Sequence, residues 1–211
     1  MAGNGTKVNK EGLEFQFSSK RIDLLKTRIT INGAWFKTLY SNNMPTYSSE
    51  PIILNNKQYS YVGLYDWEDG TEYQSFRTNF MFDTYLQRLG LTLSTSAQCT
   101  WLTSTRNLWN NGTPVSYIDA TGAEHPFLES DKEDAYLQHL VKRYAADYFN
   151  VVTVPFAMDI NLKATKDIGK HINLALFVNR LLSVYPDYRR GEQLIRRSST
   201  PYFGMELNLK F

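Results

Sequence analysis

Apolar and polar residues alternate along several stretches of the chain, and this alternation is its strongest structural signal. In the segment VTVPFAMDINLKA (152–164), every even position is apolar, from Val152 through Ile160 to Ala164. In the closing segment YFGMELNLKF (202–211), each odd position from Phe203 onwards is apolar. Because successive side chains of a strand point to opposite faces, both segments predict a strand with one apolar and one polar face.

Five further segments alternate in the same way, which brings the predicted strands to seven. They are 12–18, 27–37, 75–86, 91–101 and 172–179. Ordinary strands average about 5–6 residues, whereas a tilted strand that crosses a bilayer needs about 9–11 residues. Most of the predicted strands have the greater length. The pattern therefore predicts an all-β fold and favours a membrane barrel, while a soluble β-sandwich or lipocalin-like barrel remains open.

The connections between these strands alternate between short and long. Three are short, namely KRIDLLK, QRLG and TKDIGKH, and three are long, at roughly 41–71, 107–148 and 183–200. Transmembrane barrels combine short periplasmic turns with long extracellular loops. The sequence therefore predicts an antiparallel transmembrane β-barrel segment with this arrangement.

The second long loop contains the one predicted helix, ESDKEDAYLQHLVKRYAADY, at 129–148. Ser130 can serve as its N-cap and Glu133 completes a capping box. Leu137, Leu140 and Val141 recur at helical spacing and form an apolar face. We expect a helix that packs on the other loops.

Composition excludes several classes of protein. The 211 residues include 23 basic and 21 acidic side chains, so no charge excess indicates a nucleic-acid partner. A single cysteine, Cys99, excludes an internal disulfide framework and a multi-thiolate metal site within this chain. No stretch approaches the ~20 apolar residues of a membrane-spanning helix, and the polar N-terminus does not resemble a secretory signal.

No residue pattern indicates catalysis. The three histidines are dispersed, and no nucleophile elbow, phosphate-binding loop or zinc motif is present. Asp83 and Asp159 fall on polar faces of separate strands, where solvated carboxylates are common. The sequence predicts no catalytic residue, no cofactor-binding residue and no metal site, and hence no enzyme.

An odd number of strands does not make a complete membrane barrel. Bacterial outer-membrane barrels have an even number of strands, and an open sheet in lipid leaves two edges of unpaired backbone groups. We therefore expect residues 1–211 to be the C-terminal part of a larger barrel, without its N-terminal strands.

Three stretches resemble the C-terminal barrel strands of Bacteroidetes TonB-dependent outer-membrane receptors. They are GLEFQFSSKRIDLLKTRITINGAWFKT, VTVPFAMDINLKATKDIGKHINLALFVNRLL and RRSSTPYFGMELNLKF. The resemblance implies a 22-stranded barrel in the cell outer membrane, closed by an N-terminal plug, that imports large nutrients such as glycans or peptides. This chain lacks the plug and the energy-coupling segment, so we expect it not to transport a solute by itself.

The resemblance also implies partners. An aromatic end on an alternating strand is similar to the signal that the barrel-assembly machinery reads, and Tyr202, Leu207, Leu209 and Phe211 would carry it. Further implied partners are outer-membrane lipid, the rest of the receptor barrel and its plug, the TonB complex through the missing N-terminal part, and a surface lipoprotein.

Three aromatic residues of the long loops are candidate substrate contacts, namely Trp67, Trp109 and Tyr117. Aromatic rings in polar loops can stack on sugars or pack on peptide side chains, and they can equally pack the loops on one another. Two other functions stay open: a soluble β-rich binding or structural protein, and an outer-membrane barrel enzyme. The substrate is not indicated by any residue.

Overall fold

The computed structural model describes residues 6–42, 44–66, 69–169 and 171–209 and consists mainly of β-strands. Fourteen strands lie in these ranges. They are β1 (Thr6–Ser18), β2 (Thr27–Asn42), β3 (Thr46–Leu54), β4 (Lys57–Tyr65), β5 (Asp69–Leu86), β6 (Leu91–Asn107), β7 (Ser116–Ile118), β8 (Glu124–Pro126), β9 (Val152–Val154), β10 (Ala157–Ile168), β11 (Ile172–Val184), β12 (Tyr188–Arg190), β13 (Gln193–Ile195) and β14 (Tyr202–Leu209).

Seven long strands form the principal sheet in their chain order, β1-β2-β5-β6-β10-β11-β14, and β9 also pairs with β6. These seven strands are the ones that the alternation predicts. β10 pairs antiparallel with β6 and with β11, and β11 pairs antiparallel with β14. The all-β, antiparallel prediction is therefore confirmed, and the described strands form an open path from β1 to β14.

The chain divides into two compact units. The loop unit comprises Met1–Asn9, Thr38–Glu72 and Thr105–Val151, and the sheet unit comprises Lys10–Lys37, Tyr73–Ser104 and Val152–Phe211. The loop unit contains a second sheet in the order β3-β4-β7-β8, and the sheet unit contains the small β12-β13 hairpin. The long connections thus hold six strands that the alternation did not identify.

The register of the principal sheet brings the apolar positions of neighbouring strands onto one face. Leu162 of β10 lies opposite Thr95 and Val178, and Val178 lies opposite Phe203 of β14. Directly opposite residues share a face of the sheet. Many residues of this apolar face are exposed in the described chain, including Phe203 at 74%, Met205 at 67% and Leu207 at 60%.

A bulge interrupts the pairing of β10 with β11. Ile160 lies opposite Leu182, whereas Leu162, two residues later, lies opposite Val178, four residues earlier. Arg180 within the bulge has a left-handed backbone, with φ 56°. Its amide donates to the Asn161 side-chain oxygen at 2.8 Å. The Asn161 side chain therefore accepts the hydrogen bond that the Arg180 amide cannot make to the neighbouring strand at the bulge.

The segment 152–164, predicted as one strand, is two strands in the structure. β9 ends at Val154 and β10 begins at Ala157. Pro155 has no amide hydrogen and cannot donate to the β-ladder, which accounts for the interruption.

The predicted helix at 129–148 is wrong. The structure has two 3₁₀ turns there, Glu129–Lys132 and Gln138–Leu140. The Asp131 carboxylate accepts from the Leu128 amide at 2.8 Å, and the Asp134 carboxylate accepts from the Tyr136 amide at 2.7 Å. These aspartates stabilise turns that compete with a continuous helix. Leu137 and Leu140 are nevertheless buried. No helix in the described part of the chain is both long enough and apolar enough to span a membrane.

A tight turn explains one of the strand pairs that the alternation missed. Asn55 and Asn56, at φ 51° and 60°, connect β3 to β4, and Leu54 pairs with Lys57 across them. Positive φ at both central residues is typical of a two-residue type I′ hairpin turn, which asparagine tolerates. The Asn-Asn pair was therefore a usable sequence signal for the hairpin.

Candidate functional site

The polar face of the principal sheet carries a concavity of about 360 Å³ in the sheet unit. It lies over the middle of β5, β6, β10, β11 and β14. Its polar lining includes Asp83, Ser94, Ser96, Gln98, Asn161, Lys163, Asn179 and Glu206. These side chains come from strands far apart in the sequence, so only the pairing of the strands brings them together.

Hydrogen bonds and one ion pair cross the strands that line this concavity. The Lys163 ammonium lies 2.7 Å from a Glu206 carboxylate oxygen. The Ser94 hydroxyl donates to Asp83 at 2.5 Å. A surface with both charges and several hydroxyl or amide groups suits a hydrophilic solute or a polar protein segment, because it can offer donors and acceptors in place of water.

A second polar cluster of the sheet unit surrounds Asp159. Its carboxylate accepts from the Ser183 hydroxyl and from the Tyr185 hydroxyl, both at 2.5 Å. The hydrogen bond to Asp159 raises the pKa of Tyr185, and burial contributes to the same shift. The Arg197 guanidinium lies 5.4 Å from the Tyr185 ring and 5.3 Å from the Tyr188 ring. These contacts give Asp159 a structural role beside the end of β11.

The loop unit is built around a buried tyrosine. Tyr65 of β4 and Leu140 are almost completely buried, and the Tyr65 hydroxyl donates to the Leu140 carbonyl at 2.6 Å. The Lys142 ammonium lies 4.5 Å from the centre of the Tyr65 ring. The Lys142 amide donates to the Gly112 carbonyl at 2.9 Å. The 137–142 segment is thus fixed to the loop sheet by its backbone and its side chains.

Tyr117, a candidate substrate contact, packs within the loop sheet. Its ring is stacked on His125 at 5.3 Å and makes edge contacts with Tyr61 at 6.0 Å and Phe127 at 6.4 Å. Burial raises the pKa of Tyr117. These contacts favour the structural interpretation of this ring over substrate stacking.

The other sequence-predicted residues lie in different settings. Trp109 is 73% exposed and remains a candidate contact, whereas Trp67 lies outside the described residues. Of the proposed assembly signal, Tyr202, Leu207 and Leu209 lie exposed on β14. Phe211 is outside the described residues.

Asp119 stabilises the connection between β7 and β8. One of its oxygens accepts from the Thr121 hydroxyl at 2.6 Å, the Thr121 amide at 2.8 Å and the Ala123 amide at 3.1 Å. The other lies 2.9 Å from His125 Nε2. These hydrogen bonds hold the pKa of Asp119 well below its usual range, and the one from the Thr121 hydroxyl contributes most to the lowering.

We expect the β7-β8 connection to lose stability in acid. A carboxyl with a lowered folded-state pKa stabilises the fold above its ordinary pKa of about 3.9, and this stabilisation is lost as the pH falls from there towards the lowered value. Amide hydrogen exchange at Thr121 and Ala123, followed against pH, measures the effect. Asp119→Asn should remove most of the added acid sensitivity, and an unchanged profile in that variant would contradict the assignment.

Sequence reasoning did not identify the ion pair of Lys163 with Glu206 or the Asp159 cluster. The polar parity of each strand was visible, but the register that places Lys163 near Glu206 was not. Among the described residues, no three His, Cys, Asp or Glu side chains are grouped so as to hold a metal ion.

With the fold and these sites described, the chain was compared with known proteins, and no protein-family model, curated protein or solved structure matches it.

Proposed function

We propose that the chain is part of an outer-membrane β-barrel that imports a hydrophilic nutrient with energy from the TonB complex. The observation that carries the proposal is the exposed apolar face of the principal sheet. The neighbouring strands β6, β10, β11 and β14 contribute to it, and the apolar positions of β10 and β11 stay opposite one another on both sides of the bulge. Soluble monomers rarely expose apolar patches of this kind, whereas the outer surface of a membrane barrel requires one.

The opposite face supports the same proposal. Lys163, Glu206 and Asp83 lie there in ion-paired or hydrogen-bonded arrangements. A barrel that conducts solutes is polar inside and apolar outside. The connections along the path also alternate, from four residues at Gln87–Gly90 to long segments that contain whole hairpins. Short turns on one side and long loops on the other are typical of outer-membrane barrels.

The two free edges of the open path support the proposal that further strands complete a barrel. Among the described strands, β1 and β14 each have one neighbour in the sheet, and unpaired backbone groups are costly in lipid. Further strands of the receptor would pair with these edges, and the plug would contact the polar face. The barrel-assembly machinery and a surface lipoprotein belong to the same proposal.

Quenching by lipids carrying bromine on their acyl chains tests the proposal. Trp101 lies on the apolar face, 47% exposed, with its ring 5.0 Å from Phe156. In the complete barrel of the proposed receptor, reconstituted in vesicles, we compare two variants in which either Trp101 or Trp109 is the one remaining tryptophan. Brominated lipid should quench Trp101 strongly, because it faces the acyl chains, whereas aqueous acrylamide should preferentially quench Trp109.

The outcomes separate the alternatives. Equal quenching of both tryptophans by brominated lipid contradicts the assignment of the faces. A chain that stays monomeric and folded without detergent or lipid favours the soluble β-rich protein instead. A continuous upstream reading frame that encodes a plug and further strands supports the receptor, and a frame that encodes an unrelated domain argues against it.

A further inference from the structure

The loop unit contains a second concavity, of about 600 Å³, whose lining is cationic. It is bordered by Ile52 of β3 and by the segment from Gln138 to Tyr144. Three of its side chains, those of His139, Lys142 and Arg143, are basic. No carboxylate is among the residues that line it in the described part of the loop unit.

The backbone that presents these basic groups is fixed. Leu140 is fully buried, and its carbonyl accepts the Tyr65 hydroxyl. The Lys142 amide is bonded to the Gly112 carbonyl, and the Lys142 ammonium rests over the Tyr65 ring. A site whose backbone is held in this way loses less conformational entropy when a ligand binds.

An aromatic cluster forms one side of the same region. The Tyr144 ring, which lines the concavity, lies 4.7 Å from the Tyr148 ring and 4.9 Å from the Phe149 ring. Aromatic rings offer flat apolar surface to the carbon-bound faces of sugars. The concavity therefore combines groups that bind an anion with a ring suited to a saccharide.

We propose that this concavity binds the oxyanion group of an acidic saccharide, with Arg143 and Lys142 as the charged contacts. Arginine binds carboxylate and sulfate with two parallel hydrogen bonds, and lysine contributes a compact positive charge. Gln138 can donate a further hydrogen bond from its amide. This site would name the class of solute for the proposed function. Binding of the saccharide does not depend on that function, whereas import of the saccharide rests on it.

Calorimetric titration of the full chain in detergent tests the binding directly. Galacturonate and galactose are the matched probes, because they differ at a single carbon that carries either a carboxylate or a hydroxymethyl group. Inorganic sulfate tests the anion site without a sugar. We expect galacturonate to bind at least about tenfold more tightly than galactose, since a charge-assisted hydrogen bond has this magnitude.

Variants separate the pocket from the general charge of the protein. Arg143 is exposed, so Arg143→Gln should fold and should weaken galacturonate binding about tenfold, while Arg143→Lys should weaken it less. Lys57→Gln is the matched control, because Lys57 is another exposed basic residue of the loop unit but lies outside the concavity. Its galacturonate affinity should equal that of the parent chain.

Several outcomes would overturn the proposal. The first is equal affinity for galacturonate and galactose, and the second is equal weakening by Arg143→Gln and Lys57→Gln. The third is absence of binding of both galacturonate and sulfate by a chain whose Lys142 amide is protected from hydrogen exchange, as a folded loop unit requires. If binding occurs as expected but the brominated lipids fail to quench Trp101, the saccharide site stands and the membrane function fails. If brominated lipid quenches Trp101 but neither galacturonate nor sulfate binds, the membrane function stands and the saccharide site fails.

Discussion

Gly112→Ala is expected to destabilise the loop unit by more than about 2 kcal/mol, because strain and a steric clash add to a weakened hydrogen bond. Gly112 has φ +71°, and a Cβ placed on it would lie 2.2 Å from the Lys142 carbonyl oxygen. The clashing atom belongs to the main chain, so a change of side-chain rotamer cannot relieve it. Amide hydrogen exchange at Lys142, whose amide donates to the Gly112 carbonyl, followed against denaturant, measures the loss.

Gly122→Ala is the matched control for this substitution. Gly122 also has positive φ, +86°, but no atom lies within 4 Å of the Cβ that would be added. Its cost is confined to backbone strain, about 1 kcal/mol. Similar losses for the two variants would show that the approach of Gly112 to Lys142 does not contribute. If the approach does contribute, Gly112→Ala should also weaken galacturonate binding, because it displaces the backbone of Lys142.

Ile160→Arg is expected to destabilise the assembled barrel in lipid by about 2–4 kcal/mol if Ile160 lies near the middle of the bilayer. Ile160 shares the apolar face with its cross-strand partners Ala97 and Leu182. An arginine there would place a charge among acyl chains. Urea titration of the folding of the complete barrel into vesicles measures the change.

Gln98→Arg is the matched control on the polar face. Gln98 is exposed and lies opposite Asp159 of β10. Asp159 is next to Ile160 in the chain, so the two substituted positions lie at nearly the same height in the sheet. An arginine at this depth remains beside a carboxylate, so we expect a change within about 0.5 kcal/mol. Asn161 would be a poorer control, because its side chain accepts from the Arg180 amide at the bulge. Equal losses for Ile160→Arg and Gln98→Arg would contradict the assignment of the two faces.

The loop unit shows where local sequence signals were insufficient. Residues 129–148 have helical spacing and a capping box, yet Asp131 and Asp134 direct their carboxylates to backbone amides and form turns. The segment is fixed by distant contacts, such as the bond from Lys142 to Gly112. Spacing correctly indicated that Leu137 and Leu140 are buried, but burial in this unit does not require a helix.

The aromatic residues of the loops illustrate the same limit. The sequence placed Trp109 and Tyr117 together as candidate contacts, since both lie in polar connections. The structure separates them: Trp109 is largely exposed, whereas Tyr117 contacts Tyr61, His125 and Phe127. The cationic lining around Arg143 was not identified from the sequence, because Ile52 and the 138–144 segment meet only in the folded chain.

The sequence by itself determined the seven long strands and the two faces of each, because alternation is a property of consecutive residues and the β-strand repeats every two of them. The short connections also indicated antiparallel pairing of the strands that they join, whereas the pairing across the three long connections was decided by the structure. Only the tertiary structure decided the register, the bulge at Arg180 and the grouping of Lys163 with Glu206. These features depend on pairing between residues far apart in the chain, and a shift of one strand would rearrange them without changing the alternation of any segment.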